Sequence, residues 1–264
     1  DTLQQPATDV TPAFLGAPTV WNALGGQESA GDNVIVGVLD TGVWPEHPSF
    51  SDPDPSGKPY GPTAGGPYTC QFGSAVPGDA PFTCNNKLIG AYQFLDTYKA
   101  ATGQEPYEFN SARDDDGHGT HTASTVAGNG GVPVNLLGND LGAISGIAPR
   151  AQIIAYKVCG ELGCYSSDSA AAVEQSIIDG VDVLNFSISG GANPYNDAVS
   201  LAFLDAYANG IFVAASAGNT GPGADTVNHR EPWTTSVAAS TSDRGFQSTA
   251  TLYGPNGDTL SLVG

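Results

Sequence analysis

At 264 residues, 40% of them apolar and 13% charged, the chain has the composition of a folded protein with one large core or two small ones, outside the charge-rich disordered class. Its 27 acidic against 8 basic residues give a formal net charge of −19, which repels nucleic acid and anionic membranes and argues against both as partners. No apolar run reaches the ~20 residues of a membrane span.

The predicted elements run as follows. VIVGVLD (34–40) is a β-branched, nearly continuous apolar run, read as a buried strand. Residues 45–113 are rich in Pro, Gly, Asp and Tyr without a clear period and read as a long, loop-rich surface insertion. HGTHTASTVAG (118–128) follows a glycine and has the small residues of a helix that packs closely. Further strands are expected at IIAYKV (153–158), VDVLNFS (181–187), IFVAAS (211–216) and SVAAS (236–240). Between them, 166–180 carries Ser/Asp caps, alanines and a glycine stop, and Val199, Ala202, Phe203, Ala206 and Gly210 form one helical stripe. Residues 245–264 read as two short strands around a P-N-G turn. Strands alternating with helices predict an α/β fold, a largely parallel sheet flanked by helices on both faces.

Four cysteines are present: Cys70, Cys84, Cys159 and Cys164. The natural local pairs are Cys70–Cys84 and Cys159–Cys164, although four cysteines allow three pairings. Neither pair has C-x2-C zinc spacing. Two disulfides predict an oxidising, extracellular setting. The chain contains no methionine and opens on no basic and apolar leader, so its N-terminus is expected to be set by processing or by chosen boundaries, with any signal peptide already removed.

Ligands of open α/β sheets bind beyond the carboxyl ends of strands. Asp40 ends the first strand before Thr41-Gly42, where its carboxylate can face a crevice; the alternative is a turn or capping aspartate. In DDDGHGTHTAS (114–124), His118 opens the helix and His121 lies one turn on. A helix start favours the neutral, basic imidazole. A metal site built on Asp115, Asp116, His118 and His121 is a further reading, although HxxH lacks the glutamate and i,i+4 spacing of the common zinc helix. In VAASAGNTGP (213–222), Asn219 closes a strand, where a fixed amide can donate to a developing oxyanion or simply make a turn.

VIVGVLDTG, DGHGTHTAS and VAASAGNTGP, in that order, resemble the three N-terminal signature segments of the subtilisin-like serine proteases (subtilases). GIAPRAQIIAYKV (146–158) and GVDVLNFSISGG (180–191) resemble further framework and substrate-strand segments, so the likeness runs from about residue 10 to 245. CNNKLIGAYQF (84–94), YKVCGELGC (156–164), VWPEHPSF (43–50) and TSDRGF (241–246) resemble the cucumisin-like subgroup, in which a protease-associated (PA) domain is inserted between the asparagine and the serine.

The resemblance implies roles. Asp40 matches the aspartate that orients the imidazole, His118 the general base, and Asn219 the oxyanion donor, leaving His121 to packing. Ser187, Ile188, Ser189 and Gly190 match the strand that pairs with an extended peptide, and Ala215, Ser216, Ala217 and Gly218 the facing pocket wall. The family strand usually continues S-L-G or S-I-G, whereas Ser189 here precedes Gly190, which alters the pocket. The longer loop 129–146 offers Asn135, Asn139 and Asp140 as oxygen ligands for a structural calcium; no cofactor is otherwise required. The family's G-T-S-M-A nucleophile segment is absent from these 264 residues. Residues 1–245 therefore read as the N-terminal portion of a secreted serine endopeptidase domain, and 246–264 as the lead-in to a PA-type domain. Its partners would be polypeptide substrates and the serine-bearing remainder of the same enzyme. The alternative is a non-catalytic subtilase relative that grips extended peptides.

Overall fold

The computed structural model describes residues 11–63, 65–73, 79–136, 138–190, 193–240 and 249–263. In chain order its helices are α1 (Thr11–Phe14), α2 (Ala17–Ala23), α3 (Asp96–Thr102), α4 (His118–Ala127), α5 (Ser166–Asp179) and α6 (Ala198–Ala208). Its strands are β1 (Ile35–Asp40), β2 (Leu88–Gln93), β3 (Val132–Leu136), β4 (Asn139–Ile144), β5 (Gln152–Lys157), β6 (Cys159–Gly160), β7 (Gly163–Cys164), β8 (Val183–Phe186), β9 (Phe212–Ser216), β10 (Thr235–Val237), β11 (Thr249–Tyr253) and β12 (Thr259–Val263).

Six strands form one sheet in the order β10-β9-β8-β1-β5-β2, and every neighbouring pair is parallel. The apolar runs explain this. A parallel strand is covered on both faces and can be hydrophobic at successive positions; all six residues of β1 and of β5 are buried. On one face Ile35, Leu39, Ile154, Tyr156, Leu184 and Val213 pack with Ala172, Val173, Ala202, Phe203 and Ala206 of α5 and α6. On the other, Val36, Val38, Ile153, Ala155 and Leu88 pack with Ala123 and Ala127 of α4. The small residues of α4 allow it to lie close: a Cβ on Gly119 would stand 2.1 Å from the Gly42 carbonyl oxygen.

The α4 layer does not extend over the whole sheet. The pairings Val36↔Val183, Val183↔Phe212 and Ser216↔Val237 put Phe212 and Val237 on the α4 side, where they are 55% and 54% exposed. Among the described residues, β9 and β10 are thus bare on one face of a sheet type that is ordinarily covered on both.

The helices expected at 166–180 and around 199–210 are α5 and α6. Gly180 ends α5 in the left-handed conformation, and the Asp197 side chain caps α6 by accepting from the Ser200 N–H. The two strands expected near the end form the β11–β12 hairpin. Residues 45–113 hold more regular structure than their composition predicts. LIGAYQ becomes β2, the edge strand beside β5, and is followed by α3. The long Pro- and Gly-rich stretch before it had hidden a short, mostly apolar run. Both local disulfides form: Cys70–Cys84 within this stretch, and Cys159–Cys164 between the paired β6 and β7. The TSDRGF segment lies outside the described residues.

Candidate active site

The carboxyl ends of β1, β8 and β9 meet the N-terminus of α4. Asp40, the last residue of β1, is 1% exposed. Its Oδ1 lies 2.7 Å from His118 Nδ1 and accepts from the Thr41 N–H at 2.7 Å, while Oδ2 accepts from Thr122 Oγ1 at 3.1 Å. An ionised carboxylate only accepts, so His118 donates through Nδ1 and keeps a bare Nε2. Burial pushes the Asp40 carboxyl above its usual range, against the pull of the hydrogen bonds from His118, Thr41 and Thr122.

For His118, burial draws the imidazole pKa down, but the hydrogen bond to Asp40 and the charges of Asp40, Asp116 and Asp114 outweigh it. The net position is above the ordinary imidazole value. The helix start was expected to move it the other way; nearby carboxylates dominate over a partial charge at a helix terminus.

Asp114 holds the loop that delivers this histidine. Its Oδ1 accepts from Thr41 Oγ1 and from the N–H groups of Asp116 and Gly117; its Oδ2 accepts from the N–H and hydroxyl of Thr120. Thr41 Oγ1 in turn accepts from the Gly119 N–H. One buried carboxylate thus ties the residue after Asp40 to the turn before His118. Asp115 is engaged elsewhere, with the buried Lys157 ammonium at 2.7 Å and the Phe109 N–H at 2.8 Å.

His118 opens onto a cleft of about 360 Å³ lined also by Thr122, Asn185, Ser187, Ala215, Ser216, Gly218, Asn219 and Val237. The structure thereby brings together His118, Asn219, Ser187 and the β9 wall, with Asp40 buried behind the histidine. Asn219 is exposed at the cleft edge. Ile188, Ser189 and Gly190 line a smaller cavity behind the strand, and Ala217 is 8% exposed beneath the wall. Three hydroxyl-bearing residues line the cleft, and all are engaged: Thr122 Oγ1 donates to Asp40 Oδ2, Ser187 Oγ accepts from Asn185 Nδ2, and Ser216 Oγ from the Gly218 N–H. Among the described residues no hydroxyl is bonded to His118 Nε2.

His121 lines a separate cavity of about 540 Å³ with Trp44, His47, Thr125 and Ile147, which includes none of Asp40, His118 and Asn219. That cavity is also bordered by Asp115 and Asp116 but not by His118, so the four residues of the metal reading do not share one site; among the described residues no group of three or more His, Cys, Asp and Glu side chains is arranged to hold a metal ion. In the β3–β4 hairpin, Asn135 and Asp140 accept from the N–H groups of Gly138 and Gly142. The side chain of Asn139 lies outside the described residues.

Asp114 and the loop 226–231, which braces the cleft from behind, had not been singled out in the sequence. The three carboxylates of 114–116 are indistinguishable by composition, and only the fold shows which of them turns inward.

The model of the subtilase family matches residues 31–260. The chain is 44% identical over 261 residues to subtilisin-like protease SBT1.5 of Arabidopsis thaliana, covering 97% of this chain and 32% of that protein. It is 42% identical over 253 residues to SBT1.3 (93% and 31%) and 39% identical over 270 residues to SBT2.6 (97% and 32%), both of the same plant. The chain spans about a third of the length of the curated relatives it matches.

Proposed function

This chain belongs to the subtilase family, and from that premise we propose that it is the base-bearing portion of a secreted serine endopeptidase. In this reading Asp40 orients His118 and stabilises its cationic form. Nε2 takes the proton of a serine hydroxyl supplied by a part of the protein beyond these 264 residues, and later returns it to the leaving amine. Asn219 donates to the oxyanion of the tetrahedral intermediate. The peptide lies extended along 187–190, with its side chain between that strand and the wall at 215–218.

The observation that carries the reading is the 2.7 Å Asp40–His118 pair opening on a cleft with Asn219 at its edge. A second feature supports the part played by the missing segment. The cleft borders the bare α4-side face of β9 and β10, where Phe212 and Val237 are exposed, and a helix bearing the serine would cover apolar surface there while approaching His118. A PA-type domain between Asn219 and that helix, and an extracellular location suited to the two disulfides, belong to the same proposal.

A fluorophosphonate probe tests it. The full-length gene product should be labelled on one serine, and the 264-residue chain alone should not. A full-length protein that binds peptides and resists the probe would instead support the non-catalytic relative.

A further inference from the structure

The strand read as the substrate-binding edge is held from behind by one short loop. Asn228 donates its N–H to the Ala217 carbonyl at 3.0 Å, on one cleft wall, while its Oδ1 accepts from the Gly190 N–H at 2.8 Å, on the other. The next residue, His229, donates its N–H to the Gly190 carbonyl at 3.3 Å, and its Nε2 lies 3.2 Å from the Ile188 carbonyl. Gly218 leaves room for this contact, since a Cβ there would stand 2.9 Å from the Asn228 side chain.

His229 is an unusual residue for such a place. It is 1% exposed, its backbone sits at φ 48°, and its ring is wedged edge-on between Phe186 and Phe203 at 5.5 and 5.8 Å. A non-glycine residue at positive φ is uncommon and costs conformational energy, which the surroundings must over-determine. They do so here through Glu231, 2% exposed, whose Oε1 lies 3.4 Å from His229 Nδ1 and accepts from Thr234 Oγ1. His229 Nδ1 and Glu231 Oε2 make no hydrogen bond. The pair is thus held by packing, with two buried polar atoms left without hydrogen bonds, a cost that ordinary core packing does not require.

The geometry also determines which edge of the strand is free. Residues 187–190 run on from β8, which ends at Phe186, and where a chain continues extended, the main-chain groups of alternate residues point to opposite sides. With Ile188 and Gly190 turned to the loop 228–229, Ser187 and Ser189 present theirs to the opposite side. We propose that Asn228, His229 and Glu231 form a clasp that fixes the spacing of the two cleft walls and offers the Ser187/Ser189 edge to an extended peptide, with His229 as its positioning residue. This rests on the peptidase reading and deepens it, because the clasp touches neither Asp40 nor His118 and acts on peptide binding rather than on bond cleavage.

The test uses the full-length protein and the variants His229→Gly, His229→Asn and Glu231→Gln. Glycine and asparagine both accept the positive φ, so the backbone is preserved; asparagine keeps an N–H donor. The clasp predicts that His229→Gly raises KM for an N-blocked tetrapeptide anilide by about tenfold, the worth of the one side-chain hydrogen bond lost, with kcat within about threefold. A single-residue ester, which does not span the strand, should be cleaved as before, and the fluorophosphonate labelling rate should hold. His229→Asn, whose NH2 takes the place of Nδ1 and not of Nε2, should not restore the bond to the Ile188 carbonyl and should resemble His229→Gly, and Glu231→Gln should fall between these and wild type. An unchanged KM in a folded His229→Gly protein overturns the clasp. So does an equal loss on anilide and ester. If the wild-type protein is not labelled at all, the peptidase reading fails. The clasp is then judged by equilibrium binding of the same tetrapeptide as its amide, which His229→Gly must weaken by a similar factor; equal affinity overturns it.

Discussion

Asp114→Asn alters one atom and reverses the polarity of one corner of a buried carboxylate. Asp114 is 5% exposed and accepts from three main-chain N–H groups and two hydroxyls. An asparagine must turn its NH2 toward one of the two sites. At the Oδ1 position it meets the N–H groups of Asp116 and Gly117; at the Oδ2 position it meets that of Thr120. Hydroxyls can rotate to accept, but main-chain donors cannot. At least one charge-assisted bond is therefore lost, worth about 1.5–3 kcal/mol, and its main-chain donor is left facing an NH2 group. That places the destabilisation at about 1.5–3 kcal/mol. Urea denaturation followed by circular dichroism measures it as a lower midpoint at unchanged slope. A histidine-selective NMR titration provides a second readout. The Asp114 charge is one cause of the raised His118 pKa, so the variant should titrate His118 lower than wild type. A loss below about 1 kcal/mol with an unmoved His118 titration would refute the assignment of Asp114 as the anchor of this loop.

Four further outcomes are expected. Because only neutral His118 can act as base and its pKa lies above the ordinary imidazole value, kcat/KM of the full-length enzyme should rise with pH through an apparent pKa above 6.5; a profile flat across that range contradicts the base role. Asn219→Ala should cost about 3–4 kcal/mol of transition-state stabilisation, mainly in kcat, a magnitude that comes from removing such a donor in a subtilisin. Gly119→Ala forces α4 off the Gly42 carbonyl and should cost up to about 3 kcal/mol, read by denaturation, because overpacking against backbone has little room to relax. Replacing Cys70 and Cys84 by serine opens a loop of sequence separation 14 and should cost about 3 kcal/mol, more than the roughly 2 kcal/mol for Cys159 and Cys164 at separation 5; the reverse order in calorimetry would tell against that loop-entropy account.

Much of the sheet was legible because buried parallel strands are written as unbroken apolar runs, and β1, β5, β8 and β9 lie within a residue or two of VIVGVLD, IIAYKV, VDVLNFS and IFVAAS. The strand β2 was not, because it follows a long Pro- and Gly-rich stretch without a clear period and reads as part of it. Asp40, His118 and Asn219 could be named from motif order, and the structure places Asp40 against His118 and Asn219 across the same cleft. Asp114, Asn228 and His229 were invisible for a different reason. Asn228 and His229 hold main-chain groups 38 and 41 positions away, and Asp114 ties its own turn to the Thr41 hydroxyl 73 positions away; a contact between distant segments leaves no local pattern. The direction of the His118 pKa was likewise out of reach, since it depends on the distances to three carboxylates that a sequence does not contain.

The two histidines of HGTH provide the sharpest test of the account. Peptide hydrolysis by the full-length protein should fall by about 10⁴-fold or more in His118→Ala, as when a catalytic base is removed from a triad, and stay within a few-fold of wild type in His121→Ala, whose side chain faces another cavity. Retained hydrolysis in His118→Ala, or an equal loss in His121→Ala, would contradict the assignment of His118 as the base.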